Sequence, residues 1–229
     1  KEFTSTTDEG PTDVGEYKLI VTATVGGEVK ATAEKEFKIT PKELGNVTVS
    51  LGTPTEFTYD GTEKTVSVSS VTSTDDSSAT LTAEDYTVAV TGLSFDSSYT
   101  VSATVDGSAV KATDAGTYTV TVTLTGNYSG KGTATWRIKQ AMPTETDFII
   151  TAPTPVDYNG QSHSVEPPTP KDGKKMGTVT VKYVKSGGTT ATDVPPTNAG
   201  NYTVTFDVAE NNNCEAREGV LIGLLTINK

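Results

Sequence analysis

Asp114-Ala115-Gly116-Thr117-Tyr118 opens the alternating stretch Thr119-Val120-Thr121-Val122-Thr123-Leu124, and the same kind of opening stands at two other places. Asp13-Val14-Gly15-Glu16-Tyr17 lies upstream, and Asn198-Ala199-Gly200-Asn201-Tyr202 lies downstream. Each is an acidic or amide residue, a small residue, a glycine, one variable residue and a tyrosine. Each is followed later by a hydrophobic residue, a spacer and an isoleucine: Phe37/Ile39, Trp136/Ile138 and Leu225/Ile227. A pattern that recurs at module-sized intervals is the mark of repeated structural units. The chain therefore reads as a tandem array of small β-modules.

The rest of the sequence agrees with that class. Thr, Val, Ser and Gly dominate, and alternating segments recur at Tyr17 to Val25, Asn46 to Leu51, Thr65 to Val71, Tyr86 to Val90, Ser98 to Val105, Thr133 to Ile138, Val179 to Val184 and Tyr202 to Val208. Short alternating runs separated by Gly, Asp and Asn predict an all-β sandwich architecture. One short helical turn is expected around Ala83-Glu84-Asp85. The apolar run from Gly219 to Leu225 reads as a buried closing strand, too short to cross a membrane. With 229 residues the chain has room for two modules of about 100 residues and a remnant.

Proline marks the boundaries. Ile39-Thr40-Pro41 and Ile138 through Met142-Pro143 end closing strands with a residue that cannot donate to a ladder. The expected modules are residues 1–42, 43–142 and 143–229. A second cassette, Phe57-Thr58-Tyr59-Asp60-Gly61 and Val156-Asp157-Tyr158-Asn159-Gly160, opens the latter two, with Asp-Gly or Asn-Gly supplying the tight turn. Residues 1–42 hold a closing cassette without an opening one, so they read as the back half of a module with an unpaired edge. Linkers of a few residues imply an elongated, fairly stiff rod.

The repeated tyrosine has a structural reading. In immunoglobulin-like sandwiches a tyrosine near the start of a core strand bonds back to upstream backbone, two residues before the core cysteine. Here Leu19, Val120 and Val204 occupy that later place, so an aliphatic contact is expected to replace the disulfide. Gly15, Gly116 and Gly200, with Tyr17, Tyr118 and Tyr202, form the expected tyrosine corners, the glycines taking a turn conformation that only glycine adopts cheaply. The chain then resembles a known family. Tyr59-Asp60-Gly61, Glu84-Asp85-Tyr86-Thr87-Val88, Asp114 to Tyr118 and Gly126-Asn127-Tyr128-Ser129-Gly130 occur in that order and end in Trp136-Arg137-Ile138. Together they resemble the Ig-like repeats of the MBG/YDG type, with a good match across 53–139, a fair one across 156–228 and a partial one across 13–40. The third module departs from the pattern: Glu210-Asn211-Asn212-Asn213-Cys214 stands where Gly-Asn-Tyr-Ser-Gly is expected. The resemblance implies display on the outside of a bacterium, within a longer adhesin-type protein, and no catalysis.

The residues themselves point the same way. A net charge of −11 opposes binding to nucleic acid or anionic lipid, which need clustered Lys and Arg. One cysteine, Cys214, excludes an intrachain disulfide, and one histidine, His163, excludes a zinc site or Cys/His pair built from those types. A glycosidase needs two carboxylates across a cleft, which a narrow sandwich does not offer. No enzyme and no cofactor are expected. Calcium is the one cation with candidate oxygen ligands, at Asp75-Asp76-Ser77-Ser78 and Asp96-Ser97-Ser98, although neither follows a defined loop pattern. No signal peptide, membrane span or wall anchor is visible, so any such signal is expected outside these residues.

The candidate ligand contacts are aromatic. Tyr128 is expected at the tip of its turn, and Tyr99 and Phe95 flank a Ser-rich loop; such side chains stack on glycans or protein with little entropy loss. The sequence reading is a monomeric, extracellular, non-catalytic spacer that displays another domain. Its alternatives are an adhesin whose modules bind host glycan or matrix protein, and an accessory module of a secreted polysaccharide-degrading enzyme.

Overall fold

A computed structural model describes residues 10–229. Residues 1–9 of the first expected module lie outside the described residues. The first unit is a single antiparallel hairpin, β1 (Gly15–Val25) and β2 (Glu28–Ile39), whose strands pair from Gly15↔Ile39 to Val25↔Glu28. Tyr17 stacks on Phe37 across the pair, with ring centroids 5.6 Å apart. Beyond that contact both faces of the hairpin are exposed. Leu19, expected as a core contact, is 54% exposed, because among the described residues no second sheet covers this hairpin.

The second unit is a two-layer sandwich. It contains β3 (Lys42–Glu43), β4 (Val47–Leu51), β5 (Glu56–Thr58), β6 (Lys64–Ser73) and β7 (Tyr86–Ser94). It continues through β8 (Thr100–Val101), β9 (Ala103–Asp106), β10 (Ala109–Ala112), β11 (Gly116–Leu124), β12 (Tyr128–Ser129) and β13 (Lys131–Lys139). One sheet runs β4-β6-β10-β9 and the other β5-β13-β11-β7-β8. The period-2 pattern drives this: in β11 every second residue is buried, placing Tyr118, Val120, Val122 and Leu124 inside against Val66, Val110 and Trp136. Tyr118 pairs with Trp136 in register and stacks on it at 4.6 Å. Ala83-Glu84-Asp85 is a turn and not a helix; the Asp85 carboxylate accepts the Thr82 N–H, which closes the turn within four residues.

The third unit is thinner. It comprises β14 (Phe148–Ile149), β15 (Val156–Asp157), β16 (Thr169–Pro170), β17 (Val179–Lys185), β18 (Gly200–Val208) and β19 (Arg217–Asn228), with a short 3-10 turn at Glu145–Asp147. One sheet, β15-β19-β18-β17, is covered by the two-stranded ribbon β14-β16 and by proline-rich chain. Pro153, Pro155, Pro167 and Pro168 remove ladder donors there, so no full second sheet forms. Val204 and Phe206 are fully buried, and β19 buries Val220, Ile222, Leu225 and Ile227 while exposing Leu221 and Leu224. The expected closing strand is thus buried on one face only.

Candidate functional site

The geometry that recurs in this molecule starts at the tyrosine corner. Tyr17 Oη donates to the Asp13 carbonyl at 2.7 Å, Tyr118 Oη to the Asp114 carbonyl at 2.5 Å and Tyr202 Oη to the Asn198 carbonyl at 2.8 Å. Burial pushes the Tyr118 hydroxyl well above its ordinary pKa. The glycines of the corner serve different ends from those the sequence suggested. Only Gly200 has a positive φ, of 150°. A Cβ on Gly116 would lie 2.3 Å from the Leu93 carbonyl oxygen, so that glycine is required by close strand approach. A Cβ on Gly15 would meet the Tyr17 ring at 3.2 Å.

The other end of the same peptide group is used as well. The amide that carries the Asp114 carbonyl also carries the Ala115 N–H, and that N–H donates to Asn213 Oδ1 of the third unit at 2.7 Å. Asn213 Nδ2 donates to Asp114 Oδ1 at 3.0 Å. One carboxamide therefore clamps both an N–H and a carboxylate of the preceding unit. The identical clamp appears one unit earlier. Val14 N–H donates to Asn127 Oδ1 at 2.8 Å, and Asn127 Nδ2 donates to Asp13 Oδ1 at 3.0 Å.

The linkers close each clamp from behind. Lys42 N–H donates to the Asn127 carbonyl at 2.9 Å, and Ala141 N–H donates to the Asn213 carbonyl at 3.0 Å. Tyr128 pairs in parallel with Lys42, as Cys214 does with Ala141. Asn213 thus corresponds to Asn127, and Cys214 to Tyr128. The expected alignment of Glu210–Cys214 onto Gly126–Gly130 was two residues out of step, because the third unit reaches the joint with a longer approach.

The two joints differ in depth. At the first, Asn127 is exposed, and Lys42 also pairs with Asp76 at 2.6 Å. At the second, Asn213 is 5% exposed and Ala115 is fully buried. Asn212 reaches the Ala115 carbonyl at 2.7 Å and accepts the Phe95 N–H at 2.7 Å. Lys175 Nζ lies 2.9 Å from both Asp114 carboxylate oxygens, and its N–H donates to Tyr59 Oη at 2.6 Å. Hydrogen bonding to Asp114 raises the Lys175 pKa. Met176 packs against both the second and the third cores, joining them by apolar contact.

The ligand candidates fall around these joints. Tyr128 is half-buried against the second core, inside the first joint, and is not a free turn tip. Its own strand pairing with Lys42 draws it down. Phe95 lies beneath the Arg137 guanidinium at 5.3 Å, and Tyr99 is 52% exposed. Both border a cleft of about 320 Å³ with Asp96, Gln140 and Asn211. The acidic loops already hold hydrogen-bond donors: Asp76 accepts from Lys42 and Ser78, Asp75 from Asn46, and Asp96 from Ser94 and Ser98. Hydrogen bonds from Ser94 and then Ser98 hold Asp96 at about 2. Among the described residues no cluster of three metal-ligating side chains occurs. His163 is half-buried, with Nε2 out of solvent and unbonded, and its backbone N–H donates to the Pro196 carbonyl at 2.9 Å. Cys214 is fully buried, which raises its thiol pKa, and its Sγ accepts the Gly177 N–H at 3.3 Å.

Against known proteins, the family model of the MBG domain matches residues 89–142. The matched stretch, within the second unit, is similar to the MBG domain. The match runs from within β7 through the Asp114–Tyr118 corner and the Asn127 turn to the linker, so the MBG segment contains a clamp donor and a clamp socket. Among solved structures the chain is similar to the chicken CNTN1 FN1–FN3 domains at 15% identity, covering 93% of this chain and 78% of that one with a TM-score of 0.26. No curated protein matches the chain.

Proposed function

We propose that this chain is a non-catalytic spacer of a bacterial surface protein, an elongated stalk that holds another domain away from the cell. The observation that carries this reading is the repeated asparagine clamp. A stalk needs defined angles between units, and here two successive joints are made by the same carboxamide on the same corner peptide. The MBG match supports placement among bacterial surface repeats. A spacer has no need of a reaction centre, and the side chains that do converge are spent on joining units.

Scattering in solution tests the reading. Strands of 9 to 12 residues span about 30 to 40 Å, so three units in line measure about 110 Å, for a radius of gyration near 30 Å. A compact chain of this length would give about 17 Å. A measured value near the compact one would sink the stalk.

A second reading, adhesion through the modules themselves, rests on Tyr99. Its exposed ring borders the cleft beside Phe95. Saturable binding on an array of glycans and matrix proteins, abolished by Tyr99→Ala, would favour adhesion over the spacer. An accessory role beside a polysaccharide-degrading domain would leave both measurements unchanged and is read from the neighbouring domains instead.

A further inference from the structure

The third unit repeats at its far end the surface that the second unit uses to receive it. Among the groups of the second unit that meet the third are the Tyr59 hydroxyl, the Asp114 side chain and the Ala115 N–H. Backbone pairing fixes their counterparts. Tyr59 N–H donates to the Lys139 carbonyl, and Tyr158 N–H donates to the Asn228 carbonyl. Phe57 pairs in parallel with Ile138, and Val156 pairs in parallel with Ile227. Tyr158, Asn198 and Ala199 therefore stand where Tyr59, Asp114 and Ala115 stand.

In the second unit Tyr59 is 2% exposed and Ala115 is 0% exposed. In the third, Tyr158 is 53% exposed, Asn198 is exposed and Ala199 is half-exposed. The Ala199 N–H, the Asn198 side chain and the Tyr158 hydroxyl have no hydrogen-bond partner among the described residues. Yet Tyr202 already holds the Asn198 carbonyl at 2.8 Å, as the occupied corners are held. The socket is set and its groups point to a carboxamide.

We infer that Tyr158, Asn198 and Ala199 form a docking face for a further module of this type, received through an asparagine placed like Asn127 and Asn213. This inference rests on the stalk reading. The Ala199 N–H asks for an acceptor, and the Asn198 side-chain oxygen accepts the amide donor as the Asp13 and Asp114 carboxylates do. A neutral Asn198 also drops the ion pair that Asp114 makes with Lys175, so the partner needs the carboxamide and not the lysine. A second copy of this chain is a poor occupant. Its Asn127 and Asn213 are engaged in its own joints, and its leading hairpin turns through Gly26-Gly27 with no asparagine.

The test is residue-resolved amide exchange on the full chain and on two extended chains. One carries residues 139–229 again after Ile227; the other carries residues 40–142 after the same residue. Both preserve the isoleucine-to-linker register and supply an asparagine turn. Slow exchange at the core amide of the added copy (Val204 or Val120) establishes its folding separately. The expected result is that Ala199 exchanges at least tenfold more slowly in the extended chains, approaching Ala115. Replacing only the added copy's asparagine by alanine then returns Ala199 to its original rate and leaves Ala115 protected. If Ala199 stays fast while an added copy is folded and Ala115 is slow, the socket is refuted and the stalk stands. If Ala115 itself exchanges like an open loop in the unmodified chain, the clamp fails and the stalk reading with it. Protection of Ala199 that grows with concentration of the unmodified chain would assign the face to self-association and overturn the proposal.

Discussion

Replacing Asn213 by alanine removes both halves of the second clamp. The Ala115 N–H, fully buried, loses its acceptor, and Asp114 loses one of its donors while keeping Lys175. A neutral hydrogen bond contributes about 1 kcal/mol net, one to a charged group about 1.5 to 3, and an orphaned buried donor costs about 1 to 3 kcal/mol. Because Lys175 still serves Asp114, the low end of the charged range applies. The joint should weaken by about 2 to 3 kcal/mol, which multiplies its opening equilibrium about 30- to 140-fold. Amide exchange reads this without touching the mutated group. Ala141 and Glu215 donate across the joint to Asn213 and Ala141 carbonyls and should accelerate by that factor. Val120, deep in the second core, should not change. Asn213→Asp sharpens the experiment, since it keeps the acceptor for Ala115 but faces the Asp114 carboxylate with a like charge. It should open the joint at least as much at neutral pH and recover on acidification. Ala141 and Glu215 rates within about threefold of the parent would refute the clamp, as would equal acceleration of Val120.

Three further outcomes follow from the same geometry, all read by denaturant or thermal unfolding. Tyr118→Phe leaves the Asp114 carbonyl without its donor and should cost about 1 kcal/mol or more; no change in midpoint would discard the corner. Gly116→Val should cost more than Tyr118→Phe, because its Cβ falls 2.3 Å from the Leu93 carbonyl oxygen; a smaller loss would refute the packing argument. Asp76 is held at about 2 by hydrogen bonding to Lys42 and then to Ser78. A carboxylate lowered in this way adds stability above its unfolded value near 3.9 and loses it as pH falls through about 2. The melting temperature should therefore drop between about pH 4 and 2, and Asp76→Asn should flatten part of that slope; an identical slope in the variant would remove Asp76 from the acid response.

What the sequence disclosed, and what it hid, divides along range. The period-2 pattern of Thr117 to Leu124 and the tyrosine at the head of each strand act within one or a few residues, and both are visible in a line of text. The cuts expected at Pro41 and Pro143 rest on signals that are equally local. Asn213 was invisible because its partners lie 98 and 99 residues away, and the triple Asn211-Asn212-Asn213 gives no sign of which one faces the corner. Only the parallel pairing of Ala141 with Cys214 fixes the register. Tyr128 misled for the opposite reason. A tyrosine in a Gly-Asn-Tyr-Ser-Gly turn looks free until the previous linker is laid beside it. Leu19 misled because alternation reports which residues would share a face, and says nothing of whether another layer covers that face.

The corner and the joint are one device, since they share a peptide group. The Asp114–Ala115 amide accepts Tyr118 Oη at its carbonyl and gives its N–H to Asn213. A hydrogen bond accepted at the carbonyl polarises the amide and strengthens the bond its N–H donates. The tyrosine also fixes the plane of that amide before docking, so little ordering remains to oppose association. At the two joints the five-residue pattern closes a module and at the same time prepares the surface on which the next one lands. The consequence is non-additivity. In a double-mutant cycle, Tyr118→Phe and Asn213→Ala should couple by about 1 kcal/mol in the opening free energy of Ala141, beyond the scatter of about 0.3 to 0.5 kcal/mol seen for independent sites. Strict additivity would mean that the two bonds merely share an address, and that the tyrosine shapes its own module alone.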